Sequence, residues 1–262
     1  MMNLQLTGKT AIVTGASRGI GLAIVRELVA QGMQVVGAAR TLTDDLKKSG
    51  ATPVSVDLTA ADGPRRLIEQ TQAKYGGLDL LVNNLGGGGD KEHPTTFLES
   101  TDAQWMEMFE LNFFSTVRVT RAALPDLMAR RGGIINFSSM CARIPHTGPL
   151  PYAASKGAIN TFSKGLAEEL GPQGVRVNTI SPGAVLTEQW SGPDGFGAKL
   201  AAARGISLEQ LLRDVPAELG ATTGQFADPA HVASLVAYLA SPLAAAIHGA
   251  DYAINGGAIK TA

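Results

Sequence analysis

Tyr152-Ala153-Ala154-Ser155-Lys156 sets a phenol and an ammonium four residues apart, and Ser139 precedes them across a Pro/Gly-rich loop. If Tyr152 opens a helix, Lys156 lies one turn on, on the same face. A cation there favours phenolate, so the spacing predicts a Tyr152 pKa drawn from its reference of about 10 towards neutrality. A phenol titrating near the working pH gives and takes a proton, as a general acid/base must. Ser139 directly follows the apolar run 133–138. A strand ending there sets its hydroxyl at the sheet's carboxyl edge, where open α/β sheets keep their ligands. A solvated Tyr–Lys pair on a helix flank has the same spacing, so the chemistry requires a cofactor site directed at these residues.

Such a site is legible near the N-terminus. The β-prone run 9–14 leads into Gly15-Ala16-Ser17-Arg18-Gly19-Ile20-Gly21 and then into the helically periodic 22–30, stopped by Gly32. Strand, glycine turn, helix is the context of a dinucleotide-binding turn. The glycines let backbone N–H groups approach a pyrophosphate at the helix N-terminus, where the dipole favours anions. The spacing is Gly-x-x-x-Gly-x-Gly, and an ordinary βα turn is the competing reading. The second strand, Gln34–Ala39, ends in Arg40-Thr41. An NAD site usually carries Asp or Glu there for the ribose 2′-hydroxyl. Here there is none. Arg40, with Arg18 close by in the same scheme, would meet a 2′-phosphate instead. NADP(H) is therefore predicted, with NAD(H) second, against the alternative that Arg40 is a solvated loop cation.

The remaining elements must carry these groups to one edge. Strand three is read over 53–58 with Asp57 at its end, and a helix over about 61–75. Strand four, 78–84, is apolar in its middle as a buried parallel strand should be, and breaks into the glycine loop Leu85–Gly89. Thr101 or Asp102 can cap a long helix to about Ala129. Asn112 lies in that helix among Phe109, Leu111, Phe113 and Phe114. An amide buried there needs partners, either a catalytic water network or a core hydrogen bond. Strand five ends at Ser138 and helix five runs from Tyr152 to about Leu170. Its small residues permit close packing against another helix or a subunit. Strand six, 174–180, ends in Ser181-Pro182-Gly183. From 184 to 226 the pattern loosens, as in functional lids. Asp228 caps a helix to Ala240, and 251–254 is a last strand. Alternating strands and helices give one α/β domain over 1–262, a doubly wound parallel sheet of about seven strands with helices on both faces.

Composition excludes several other classes. The 262 residues are 45% hydrophobic and 17% charged with net charge −1, enough for one large core. A charge near zero, with no basic block longer than Arg130-Arg131, argues against nucleic acid. One cysteine excludes an intramolecular disulfide. His93, His146, His231 and His248 show no metal-ligand spacing. No signal-peptide pattern and no membrane-length apolar stretch is read, so a cytoplasmic protein is expected.

Taken in order, Thr14-Gly15-x-x-x-Gly19-x-Gly21, Asn83-Asn84-x-Gly86, Asn112, Ser139, Tyr152-x-x-x-Lys156 and Pro182-Gly183 with Thr187 resemble the short-chain dehydrogenase/reductase family across essentially the whole chain. The resemblance implies Tyr152 as acid/base. Lys156 would lower its pKa and bind the nicotinamide ribose. Ser139 would hydrogen-bond the substrate oxygen, the family's spacing selecting it over Ser138, and Asn112 would hold a relay water. It also implies a cofactor contacted by the glycine turn from Gly15 through Ser17, Arg18, Gly19 and Ile20 to Gly21. Asp57 and Leu58 would flank the adenine, Asn84 and Gly86 would line the cofactor, and Val185 with Thr187, after Pro182-Gly183, would hold the carboxamide. Leu85 departs from the family's usual Ala. Family members are usually tetramers joined through helices four and five, so a homotetramer or homodimer is expected.

The chemistry agrees: reducing a carbonyl creates an alkoxide, which needs a donor and a proton source, while the cofactor carries the hydride. The expected function is NADP(H)-dependent interconversion of a carbonyl and a secondary alcohol. A 3-oxoacyl-acyl-carrier-protein reductase is second: those enzymes resemble the chain at Arg130, whereas their other basic docking position falls at Gln173. A non-catalytic dinucleotide sensor is third. Cys141 reads as a small wall residue without a histidine partner, His146 as a loop residue able to touch substrate or solvent, and Trp190 as a pocket roof or subunit contact. The substrate has no readable code in the 87–100, 140–151 and 184–226 segments.

Overall fold

The computed structural model describes residues 3–88 and 96–260. Gly89, His93 and half of the 87–100 segment expected to shape the pocket lie outside them.

Seven parallel strands form one sheet in the order β3-β2-β1-β4-β5-β6-β7. They are β1 Thr10–Thr14, β2 Gln34–Ala39, β3 Thr52–Ser55, β4 Leu80–Asn83, β5 Gly133–Phe137, β6 Arg176–Pro182 and β7 Asp251–Ile254. Successive side chains of a strand face opposite sides, and in β1 Ala11 and Val13 join one core while Ile12 joins the other. The first core is closed by α1 (Gly19–Ala30) and α10 (Pro229–Ala240), the second by α3 (Gly63–Tyr75), α5 (Ser115–Arg130) and α6 (Leu150–Leu170). Each fully buried aliphatic side chain in these layers contributes about 1.5–3 kcal/mol. Strand order reverses between β1 and β4, so the crevice for a ligand opens at their carboxyl ends.

A polar ladder crosses the second core beneath that edge. Asn83 donates to Thr120 (3.0 Å) and to Asn136 (2.8 Å), and Asn136 donates to Ser163 (2.8 Å). Buried amides of this kind are stable only when paired, and these fix β4, β5, α5 and α6 in register.

Three elements differ from the sequence expectation. The long helix after Thr101 is broken: α4 (Asp102–Phe109) passes through a π-helical turn, Glu110–Phe114, before α5. Such a turn adds a residue to the backbone ring, shows no hydrophobic-period signal and recurs at functional sites. The loose 184–226 segment contains α7 (Glu188–Ser191), α8 (Phe196–Arg204) and α9 (Leu208–Glu218) with its own small core of Leu211, Val215 and Ala201. A four-residue α2 (Asp44–Lys47), capped by Thr43, follows β2.

Candidate active site

The glycine turn is built by backbone crowding. Gly15 and Gly19 adopt left-handed conformations, φ 65° and 56°, which cost a side-chain-bearing residue about 1–2 kcal/mol. A Cβ on Gly21 would overlap the Gly15 carbonyl and stand 2.6 Å from Asn84 Nδ2. That amide donates to the carbonyls of Thr14 (3.0 Å) and Gly15 (3.2 Å). The Thr14 hydroxyl in turn accepts from the N–H groups of Asn84 and Leu85, both 3.0 Å. The exits of β1 and β4 are thus tied through Thr14, Gly15, Asn84 and Leu85. Arg18 is the N-cap of α1 with no side-chain cap, so the first helical N–H groups face outward. A glycine cradle with uncapped amides at a helix N-terminus fits the phosphates of a dinucleotide.

Arg18 and Arg40 are exposed, and neither meets a carboxylate within ion-pair distance among the described residues. Ser17 is held by Thr43, whose hydroxyl donates to its carbonyl at 2.7 Å. Asp57 accepts from the hydroxyl and N–H of Thr59, which together with the neighbouring Arg40 keep its carboxyl below the usual range. The cationic corner therefore carries one carboxylate that the residue types at the β2 terminus did not reveal. Leu58 is buried beside it and Ile20 is half-buried.

On the other side of the crevice Ser139 caps a short 3₁₀ turn, Met140–Ala142, its Oγ accepting from Cys141 N–H at 3.2 Å. The same hydroxyl is a hydrogen-bond partner of Tyr152. Ser138 Oγ instead donates to the Lys156 carbonyl (3.0 Å) and faces away from that role. Helix α6 starts at Leu150, two residues before Tyr152, because Pro151 suits a first turn whose N–H groups have no intrahelical partner.

The Tyr152 pKa moves opposite to expectation. Desolvation raises it most, the nearby Cys141 sulfur adds to this, and a Ser139 hydrogen bond opposes it, leaving it pushed up to about 12. Lys156 does follow one turn on, but its Nζ is 5.8 Å from the ring centroid and donates to the Phe137 carbonyl at 2.9 Å. Burial drives its own pKa down to about 8. Desolvation is the largest cause of both shifts, and spacing alone does not register it.

Asn112 sits in the π-helical turn and is fully buried. Its Oδ1 accepts from Gly87 N–H (2.9 Å), and its Nδ2 donates to the carbonyls of Gly87 and Met108, both 3.0 Å. The side chain therefore clamps the glycine loop after β4. Gly86 is pressed between the two functional groups, since a Cβ there would stand 2.6 Å from Asn112 Oδ1 and 2.8 Å from Lys156 Nζ. At the β6 exit Gly183 packs on Asn255, Val185 bridges to Ala227, and Thr187 lies 3.3 Å from the Cβ position of Gly19. Thr187 thereby closes the rim from β6 back to the glycine turn. Trp190 packs against Phe196 and Phe226, centroids 5.3 and 5.2 Å away, inside the 184–226 unit.

Sequence reasoning missed Gly148. A Cβ there would lie 3.0 Å from Cys141 Sγ and 3.7 Å from Tyr152 Cδ1, making its bare backbone the wall behind the phenol. It also missed Arg143, which pairs with Asp251 (2.8 Å) while Asp251 accepts from Ser181 (2.7 Å), anchoring the loop after Ser139 to β7. Arg143 has no local sequence signal because its partner is 108 residues on, and Gly148 has none because its contacts depend on how the loop folds back on α6. Among the described residues no group of metal-ligating side chains occurs, and no helix is long and apolar enough to cross a membrane.

Known proteins resemble the whole chain. L-fucose dehydrogenase of Bos taurus is 36% identical over 98% of this chain and 92% of its own length. The 3-oxoacyl-[acyl-carrier-protein] reductase FabG of Vibrio cholerae is 33% identical over 97% and 98%. The crystal structure of L-sorbose reductase from Gluconobacter frateurii, complexed with NADPH and L-sorbose, superposes with a TM-score of 0.91 at 33% identity over the full length of both chains. The short chain dehydrogenase family pattern matches residues 9–192, and the chain belongs to that family of oxidoreductases acting on CH–OH groups.

Proposed function

We propose that the protein interconverts a carbonyl and a secondary alcohol with NADP(H), Tyr152 acting as the acid/base. The observation that carries this is the meeting of Ser139, Tyr152, Lys156 and the Asn112-clamped Gly86 loop at the sheet edge beside the glycine cradle. The cofactor would be held by Gly15, Ser17, Arg18, Gly19, Ile20 and Gly21 at its phosphates and by Arg40 at the 2′-phosphate. Asp57 and Leu58 would hold the adenine end, and Asn84, Gly86, Tyr152 and Lys156 the ribose side. Pro182, Gly183, Val185 and Thr187 would take the carboxamide end. When bound, NADP(H) supplies or accepts the hydride. Tyr152 gives its phenolic proton to the substrate oxygen on reduction and takes it back on oxidation. Ser139 donates its hydroxyl hydrogen to the same oxygen when substrate is bound. Lys156 places a positive charge by that centre, and Asn112 holds the loop against which the ammonium rests. The α7–α9 unit within 184–226 is the lid over the pocket.

NADPH oxidation over a panel of ketones, including free sugars because L-fucose dehydrogenase and L-sorbose reductase are relatives, tests the reading. Tyr152→Phe should lower kcat by about 10²–10⁴-fold; equal rates for variant and wild type would end it. NADPH in place of NADH should lower KM.

A 3-oxoacyl-[acyl-carrier-protein] reductase is the second reading, favoured by the 33% identity to FabG. Arg130 weighs against it, being committed to Asp79 (3.0 Å) and to the Gly76 carbonyl (2.8 Å). Absence of acetoacetyl-thioester turnover removes it. Assembly as a homotetramer or homodimer is proposed through α4, α5 and α6, where Met106 and Phe114 stand exposed.

A further inference from the structure

The structure assigns a second binding surface beside Tyr152, and we infer that it takes an uncharged, mainly apolar substituent of the carbonyl substrate, an aryl or branched-alkyl group. This inference rests on the reaction proposed above and names the substrate class of that site.

A groove of about 380 Å³ runs between the turn at 96–100 and the segment 145–151 that leads into α6. Its volume falls within the range of small-molecule sites. It borders the reactive centre at Gly148, which lines the groove and whose Cβ position is 3.7 Å from the Tyr152 ring. One wall is Pro145, Pro149, Leu150 and Pro151; the other carries Phe97. Both walls are preformed. The prolines fix φ, and Thr147 Oγ1 donates to the Ile144 carbonyl at 2.7 Å. Across the groove Phe97 lies edge-on to Trp105, centroids 6.3 Å apart.

The polar lining is already used. Ser100 Oγ donates to the Phe97 carbonyl (2.7 Å) and accepts from Trp105 Nε1 (3.0 Å). Thr96 is taken up in a capping box with Glu99. Among the described residues that line the groove, His146 is left as the polar side chain free to meet a ligand, and none is Lys, Arg, Asp or Glu. A polyhydroxylated chain would lose its hydration there without replacement hydrogen bonds. An aryl or alkyl group loses only water and gains Phe97 and Leu150, which are otherwise 66% and 46% exposed.

The test measures NADPH-dependent reduction of acetone, acetophenone and fructose by wild type, Phe97→Ser and Leu150→Asn. Both substituted residues are exposed, so the fold should survive. Wild type should prefer acetophenone to acetone in kcat/KM by about ten-fold or more, the scale of a filled apolar pocket. Fructose should be the poorest of the three. In both variants the acetophenone-to-acetone ratio should fall about ten-fold through KM. A preference for fructose, or an unchanged ratio in both variants, overturns the inference and leaves the reaction standing. If wild type reduces no ketone, the reaction reading fails and binding decides the groove. The chain has two tryptophans, so Trp190→Phe leaves Trp105 as reporter. A saturable 1-phenylethanol response that Leu150→Asn weakens supports the groove; no response overturns it.

Discussion

The two rims of the sheet's carboxyl edge are held by different means. On the cofactor rim, backbone meets backbone: Gly21 against the Gly15 carbonyl, and Asn84 across β1 and β4. On the substrate rim, side chains and prolines meet across a groove, and the nearest neighbours of a Cβ at Gly148 would be the side chains of Cys141 and Tyr152. Backbone cannot yield without moving a strand, whereas side-chain ends shift at small cost. The first rim is therefore suited to one invariant ligand shape, and the second to variation of substrate.

The sharpest way to break this contrast is Gly21→Ala. Its methyl would overlap a carbonyl oxygen and stand 2.6 Å from Asn84 Nδ2. Overpacking of this severity costs about 3 kcal/mol or more. Tm should fall by roughly 6–12 °C for a chain of this size, and NADPH binding by calorimetry should be lost. A variant with wild-type Tm and affinity would show that the rim is pliable.

Arg40→Ala probes the same rim without packing strain, because the side chain is exposed. Loss of a charge-assisted contact of about 1.5–3 kcal/mol should raise KM for NADPH by about 10–100-fold and leave KM for NADH unchanged. Equal shifts for both cofactors would assign Arg40 to general electrostatics and not to the 2′-phosphate.

What was readable in the sequence follows the same division. The glycine turn, the acid missing after Ala39 and the Ser139–Tyr152–Lys156 spacing are local patterns, and the apolar strands announce a parallel sheet. The π-helical turn at Glu110–Phe114 was not readable, because aromatic periodicity through Phe109, Phe113 and Phe114 continues across it. The helices of 184–226 were missed because small residues dominate α8 and glycines punctuate the segment. The direction of the Tyr152 shift was misjudged because burial is a property of the fold and not of spacing.

Lys156 joins the two rims and should show opposite effects on stability and activity. Its amine pKa is lowered from an ordinary 10.5 to about 8 by burial. Between those values the unfolded chain holds a proton that the folded chain does not, so folding stability rises with pH there. Below pH 8 the buried charge imposes its full penalty of about 3 kcal/mol at 1.36 kcal/mol per unit. Lys156→Met removes it but strands the Phe137 carbonyl, at a cost of about 1–2 kcal/mol. Thermal melts at pH 7 should therefore find the variant more stable by about 1–2 kcal/mol. The wild type should close the gap as pH rises from 8 to 10.5, while carbonyl reduction by the variant is nearly abolished. A variant less stable than wild type at pH 7 would falsify the account of Lys156 as a strained, functionally retained cation.

Gly148→Ala is the smallest effect and the complement of Gly21→Ala. Gly148 has φ −161°, extended backbone open to any residue, so the change brings no conformational strain. The new methyl would be 3.0 Å from Cys141 Sγ and 3.7 Å from Tyr152 Cδ1. The second distance is an ordinary contact, and the first asks one sulfur, hydrogen-bonded to Thr147 at 3.3 Å, to shift slightly. Stability should change by less than about 1 kcal/mol, within the range of tolerated packing changes. NADPH affinity should not move, because no group of the glycine cradle touches Gly148. KM for the carbonyl substrate should change by less than about five-fold, corresponding to under about 1 kcal/mol. The Tyr152 ring should shift with the added methyl, and its resonances report this in spectra of labelled protein. If Gly148→Ala instead lowers Tm as far as Gly21→Ala, the substrate rim is as tightly locked as the cofactor rim, and substrate variation must come from the 184–226 helices alone.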